Sequence, residues 1–366
     1  MRNHALKFGL WGGGYALLFV VFISYFLTPA YAASGSEAAS FLDIPVGGRP
    51  AAMGDAYSAL ATDAYAMTSN PAGLGFLDST QIAGQHLSYL ESINYEYASI
   101  VHPLTKGNSI GASMQYLGSG DITQTNTSGD TVGSFTTHFA AYSLAYGHAF
   151  GDKFSLGATG KVIDAKIADV GAKAYAADLG SLYRVNDKLN LSAVLSNFGT
   201  KLTFLSDGGT LPLAFKLGAA YQPNPHYTFS VDGLYHGTGL TDAHIGVEWR
   251  PLELIAIRAG YRTDTTKELS AIAGFSTGLG LNVWGQELSY AWVPYGDLGN
   301  TQYFSLLIRF GQAEQEKRNL IKYETIKPHR TAKVSDPEYQ QLMQLLTDGE
   351  IKEMYTRNAA PAGDAQ

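Results

Sequence analysis

The chain carries no cysteine in its 366 residues, which excludes disulfides and thiolate metal centres. Charge is scarce too, at 16% of residues, where about 25% is usual for a soluble domain. The balance is acidic, with a net charge of −7, which argues against nucleic acid as a partner. Mean hydropathy is −0.05, so the apolar residues are not gathered into membrane helices. The motifs of common chemistries are missing as well: there is no G-x-S-x-G elbow, no H-E-x-x-H and no P-loop. The histidines are scattered without metal-ligand spacing, so no metal, cofactor or catalytic residue is expected. His138 and His148 do share one strand face. That leaves a membrane-barrel enzyme using Ser, His and a carboxylate as a minor alternative.

What is present is 41 Gly, 23 Tyr and a two-residue rhythm. Arg2, His4 and Lys7 precede an apolar run over residues 8–27, and Ala30-Tyr31-Ala32 follows as an A-x-A site. This predicts a signal peptide over 1–32 and export; a retained anchor is the alternative. From residue 81 to 311, stretches of about ten residues alternate large apolar with small or polar side chains. In residues 138–150, Tyr142, Leu144, Tyr146 and Phe150 share one face, and Ala141, Ser143, Ala145 and Gly147 share the other.

Alternation fits a soluble sandwich or a membrane barrel, and the connections choose between them. Reading fourteen strands, tight links alternate strictly with longer loops. The tight links are Lys106-Gly107-Asn108, Gly151-Asp152, Asn186-Asp187, Pro223-Asn224-Pro225, Arg250-Pro251 and Gly278-Leu279-Gly280. The loops span residues 119–136, 199–210, 262–268 and 293–300. An even strand number with short turns at one end and long loops at the other is outer-membrane topology. Tyr95, Tyr97, Tyr221, Tyr227, Trp249, Tyr261 and Trp292 sit near strand ends, where interfacial girdles form. The expected fold is therefore an all-β membrane protein: a 14-stranded antiparallel transmembrane β-barrel over 81–311, in a Gram-negative-type outer membrane.

By the same alternation Lys161, Asp178, Lys216, Asp232, Glu248, Arg258 and Arg309 point into the lumen. A charge facing lipid at mid-depth costs roughly 2–4 kcal/mol, which leaves inward as the tolerable direction. A salt-bridge network bracing wall against plug is the preferred reading of these residues, ahead of a ligand filter. Inward residues such as Ala141, Ser143, Gly157 and Gly218 are tiny, which implies room left for a plug.

Residues 33–80 do not alternate and are read as that small N-terminal plug, or hatch. Residues 51–60 suggest a short helix, and Asn70-Pro71 is a helix start, with Asn70 as cap and Gly73 allowing a bend. After residue 311 a polar linker leads to a helix start at Asp336-Pro337-Glu338, followed by Tyr339, Leu342, Met343, Leu345 and Leu346. Residues 312–366 are accordingly read as a periplasmic extension of linker, short helix and disordered tail. The helix either docks on the barrel rim or on a periplasmic partner, or belongs to a partly ordered tail.

The run Gly48-Arg49-Pro50-Ala51-Ala52-Met53-Gly54-Asp55-Ala56, then Asp63-Ala64, then Asn70-Pro71-Ala72-Gly73-Leu74 resembles the N-terminal signature of the PorV/PorQ family. That family is similar in turn to FadL-type fatty-acid channels, whose hatch carries an Asn-Pro-Ala turn inside a fourteen-stranded barrel. Arg258-Ala259-Gly260-Tyr261 and the closing stretch around Ser305-Leu306 and Arg309-Phe310-Gly311 match as well, with Gln302-Tyr303 where relatives often show His-Arg. The resemblance covers about residues 40–311 and implies a plugged barrel that passes or holds hydrophobic small molecules. PorV-like members imply a second role, docking secreted proteins for type IX secretion. The expected partners are outer-membrane lipid, barrel-assembly machinery reading the last strand (Tyr303–Phe310), a hydrophobic ligand, and a periplasmic or secreted protein.

Overall fold

A computed structural model of the chain describes residues 37–90, 93–264, 271–310 and 344. The signal-peptide reading lies outside these residues, as does the extension over 312–366 apart from Gln344. Eighteen strands are present among the described residues. The first group is β1 (Gln81–Ser88), β2 (Asn94–Thr105), β3 (Asn108–Gly118), β4 (Ile122–Thr125), β5 (Thr131–Phe135) and β6 (Thr137–Phe150). Next come β7 (Phe154–Ile167), β8 (Val170–Asn186), β9 (Leu189–Gly199), β10 (Leu202–Phe204), β11 (Asp207–Gly209) and β12 (Ala214–Asn224). The last are β13 (Tyr227–His236), β14 (Thr241–Leu252), β15 (Ile255–Arg262), β16 (Phe275–Val283), β17 (Gln286–Pro294) and β18 (Asn300–Arg309).

Fourteen of them close into one antiparallel barrel, each beside its chain neighbour, with β1 joining β18 from Gln81↔Arg309 to Ser88↔Gln302. The hairpins β4–β5 and β10–β11 stand apart as excursions of two long loops. Closure leaves no strand edge, which a sheet in lipid requires because nothing there can hydrogen-bond a bare edge.

The period-two pattern sorts side chains between two solvents. Leu144 is 71% exposed on the outside, with Tyr142 and Tyr146 exposed on the same strand and Phe215, Leu279, Leu281, Phe304 and Leu306 exposed on others. The alternate positions Ala141, Ser143 and Ala145 are buried inside. A barrel greasy outside and charged inside is the lipid arrangement, and it removes the sandwich alternative.

Corrections to the connections follow from local geometry. Strict alternation of short and long links fails at the loop end: β7 and β8 stay paired to Ile167↔Val170, so only Ala168 and Asp169 connect them, with Ala168 at φ 51°. Gly278-Leu279-Gly280 is not a turn but lies inside β16; the turn is Trp284-Gly285, both at positive φ. Gly278 is small because a Cβ there would meet the Tyr290 carbonyl oxygen at 2.4 Å and the plug's Ala52 methyl at 2.6 Å. Arg250-Pro251 belongs to β14, and Pro223 to β12, each beside a register shift where a missing N–H is tolerated. Tyr95 and Tyr97 are not girdle residues but are buried against the plug, whereas Tyr221, Tyr227, Trp249 and Trp292 do face outward.

Candidate functional site

Residues 37–80 thread the lumen from the loop end to the turn end. Glu37 bridges to Thr210 and the Phe41 ring lies 5.8 Å from Phe139, both at the loop end. Short helices at Gly48–Ala52 and Ala66–Ser69 follow, then a 3-10 helix at Pro71–Phe76, whose Phe76 ring lies 3.7 Å beneath the Arg184 guanidinium at the turn end.

The wall is cut to fit this segment. Ser305 accepts from Gly48 N at 2.8 Å, Ser276 from Gly54 N at 3.1 Å, and Ser155 donates to the Ala72 carbonyl at 2.6 Å. Asp232 accepts from Tyr57 N, Ser58 N and the Ser58 hydroxyl at 2.8–3.1 Å. Such bonds satisfy backbone groups that the plug's short helices leave unpaired. A Cβ on Gly260 would lie 2.1 Å from Gly54 N, and one on Gly157 2.2 Å from the Pro71 carbonyl carbon. Backbone therefore rests on backbone, with no room for a side chain.

The Asn70 side chain accepts from Ala72 N at 3.1 Å and donates to Ser58 O at 2.9 Å and Ser181 O at 3.1 Å, so it caps the helix and ties it to the wall. Pro71 occupies the first helical position, and buried Ala72 packs inside. Gly73 serves close approach rather than a bend, since a Cβ would sit 1.5 Å from the Ala61 oxygen.

The lumen charges gather into three groups. Lys161 pairs with Asp178 at 2.7 Å and donates to Asn197 at 2.8 Å, where β9 bulges with Asn197 at φ 59°. Lys216 pairs with the plug's Asp55 at 3.1 Å. The third group is a chain of arginines and glutamates: Arg49 grips Glu248 through two bonds of 2.9 Å, and Arg258 and Arg250 reach the same carboxylate at 2.7 and 3.0 Å. Arg258 also reaches Glu287 at 2.5 Å, and Arg309 lies 3.7 Å from that glutamate. Burial opposes the charge on Arg49, but Glu248 more than offsets it and keeps the guanidinium ionised. Burial likewise raises the Asp55 carboxyl, but Lys216 beside it leads the opposing charges and leaves its pKa below the ordinary value.

The roles of Arg49 and Asp55 were not readable from the sequence, because their wall partners lie 199 and 161 residues away in the chain; Glu287 and Arg262, on β17 and β15, are further charges of the wall that alternation could have found. The two-residue rhythm of strands says nothing of charges on the irregular plug; Arg49 inside the Gly48-to-Ala56 run was the available signal. His138 and His148 lie on the outer face of β6, beside Asp164 and Asn108 respectively. Among the described residues no three side chains are placed to hold a metal ion.

Among the described residues, recesses remain around the plug. A polar one of about 100 Å³ lies beneath Leu42–Val46 and reaches Asp55, Lys161, Lys216, His244 and Arg262. A second, about 250 Å³, opens at the loop end between Ala38–Phe41 and Leu117, Phe139, Leu202 and Phe204. A third, about 750 Å³, opens at the turn end beside Gly75–Asp78 and Arg184.

These features define a plugged fourteen-stranded transmembrane barrel. The model of Uncharacterised protein family (UPF0164) matches residues 31–204. No curated protein sequence matches the chain. Among solved structures, the Pseudomonas putida toluene transporter TodX is similar with a TM-score of 0.51 at 15% identity, over 72% of this chain and 96% of that one. The Ralstonia pickettii toluene transporter TbuX gives 0.50 at 13% identity, over 72% and 97%. A Pseudomonas aeruginosa FadL homologue gives 0.48 at 12% identity, over 76% and 99%. At such identities the property shared with TodX and TbuX is the fold, a closed β-barrel.

Proposed function

We propose that this chain is an outer-membrane barrel that takes up or holds hydrophobic small molecules. The observation carrying this reading is the recess between plug and wall at the loop end, lined by Phe41, Leu117, Phe139, Leu202 and Phe204. An apolar cavity of about 150 Å³ suffices for benzene, so one of about 250 Å³ admits a substituted ring or short alkyl chain. Moving about 250 Å² of hydrocarbon surface out of water gains about 6 kcal/mol before the cost of association. The fold shared with two toluene transporters supports the same reading. In this reading the loop end faces outward and both strand termini face the periplasm. The plug shifts, or the wall opens sideways, to release the ligand; no bond is made or broken. The Lys216–Asp55 and Arg49–Glu248 pairs brace wall against plug, the Lys161–Asp178 pair ties neighbouring wall strands, and the last strand serves barrel assembly. Uptake of a panel of apolar compounds by a deletion strain and its complemented partner tests the proposal. Unchanged handling of every compound overturns it.

A second reading has its own observation. The β4–β5 and β10–β11 hairpins expose apolar residues at the loop end, with Val132 at 58% and Leu205 at 86%. Such tips suit contact with a secreted protein, as a PorV-like docking component would make. Co-purification of a surface protein that is lost when Leu205 and Val132 become Ser would support docking; an unchanged set of co-purifying proteins would oppose it.

A further inference from the structure

The polar recess has an end that its own side chains do not satisfy. Where β12 to β15 face the plug, Lys216 is paired with Asp55 and Arg262 with Asp264, while His236 stands 3.1 Å from Asp242. Asp43, on the plug, lines the recess; among the described residues it makes no hydrogen bond or ion pair, and His236 is the charge that acts most on it. His244 is 1% exposed, lines the recess, and has no hydrogen bond at either ring nitrogen. Its Nδ1 lies 3.8 Å from an Asp55 oxygen and its Nε2 3.9 Å from an Asp264 oxygen. A neutral imidazole has one donor and one acceptor. Whichever tautomer forms, one ring nitrogen, 3.8 or 3.9 Å from a carboxylate oxygen, keeps a bare lone pair, an arrangement that calls for a donor.

The charge count gives that donor a sign. Asp43, Asp55 and Asp264 line this end, with Asp232, Asp242 and Glu37 close by, against the cations Lys216 and Arg262; Lys161 lines it too, and Asp178 offsets its charge. Enclosed negative charge in excess is costly until a proton or a cation offsets it. A metal ion fits poorly: no three ligating groups converge among the described residues, and Asp55 and Asp264 are already engaged by Lys216 and Arg262. An anion would meet the same carboxylates.

We propose that this end of the recess binds a small organic cation, a primary ammonium on a short stem, donating to the Asp43 carboxylate and to the unprotonated nitrogen of His244. The space, about 100 Å³, equals that of about three waters, so the stem is limited to a few non-hydrogen atoms. The site is independent of the apolar recess. Its pH dependence has a defined sign. Burial raises the Asp43 carboxyl to about 7, against the pull of His236, so the ligand competes with a proton there. Protonation of His236 or His244 acts in the same direction, while Lys216 and Arg262 stay charged throughout.

The test is titration calorimetry on the full chain in detergent, using ethanolamine and, as its uncharged counterpart, ethylene glycol. Ethanolamine is expected to bind saturably at about pH 8 and about tenfold more weakly at about pH 6, with no binding of ethylene glycol. Asp43→Asn, with unchanged heat-modifiable gel mobility, is expected to lose at least about tenfold in affinity. Absence of saturable ethanolamine binding at the higher pH overturns the proposal. So does equal binding of ethylene glycol, displacement by equimolar calcium or sodium, or an unaltered Asp43→Asn variant. Should that variant not fold, the pH series and the ethylene glycol comparison on the native chain decide alone.

Discussion

Neutralising Glu248 should damage the protein more than removing the plug arginine that binds it. Four guanidiniums, from Arg49, Arg250, Arg258 and Arg309, surround two carboxylates, Glu248 and Glu287, so this part of the lumen is already rich in positive charge. Glu248→Gln keeps the volume but leaves Arg49 and Arg250 without an acid in contact, while Arg258 retains Glu287. Stranding a buried charge costs about 3–5 kcal/mol, and Glu248→Gln is expected in that range. Arg49→Met removes two bonds of 2.9 Å, yet Glu248 keeps Arg258 at 2.7 Å and Arg250 at 3.0 Å. The expected cost is about 1–2 kcal/mol, for hydrogen bonds lost without an orphaned ion. Because both substitutions remove the same contact, the double variant should fall short of additivity by about 1 kcal/mol or more. Urea unfolding of the refolded barrel in detergent, followed by tryptophan fluorescence, measures all three. An Arg49→Met cost equal to that of Glu248→Gln, or strict additivity, would refute the charge-balance argument.

Further outcomes follow from the plug and the outer face. Gly260→Val should push the Gly54 backbone off the wall, so plug residues become protease-sensitive while the heat-modifiable mobility of the barrel persists. The Asp55 carboxyl has a lowered pKa in the folded chain, so its pairing with Lys216 contributes stability above its ordinary value near 3.8. That contribution is lost as pH falls through the lower folded value, and an Asp55→Asn variant should lose the part of the acid destabilisation below about pH 4 that depends on this group. Leu144→Arg, on the most lipid-exposed position of β6, should cost roughly 2–4 kcal/mol in refolding into vesicles, whereas Leu144→Phe should be nearly neutral.

The barrel was legible because each strand meets two solvents. Tyr142, Leu144 and Tyr146 alternate with Ala141, Ser143 and Ala145 whatever their distant neighbours are, so a local pattern carries a global property. Turns were less legible. Gly278 and Gly280 look like turn glycines, and their smallness reflects what lies above them, Ala52 of the plug and the Arg258 guanidinium. Tyr95 and Tyr97 near a strand end look like girdle residues, and it is the plug behind them that makes their positions interior.

The number of barrel strands, the two faces of the wall and the inward direction of Lys161, Asp178, Lys216, Asp232, Glu248 and Arg258 are all local properties of the chain, since lipid tolerates no other direction for a charge. Which charge meets which is settled by folding. The Arg49–Glu248 and Asp55–Lys216 pairs join an irregular plug to strands 199 and 161 residues away, and no local periodicity encodes such a meeting. The recesses are likewise decided there, because an empty volume is set by where the plug fails to fill the wall.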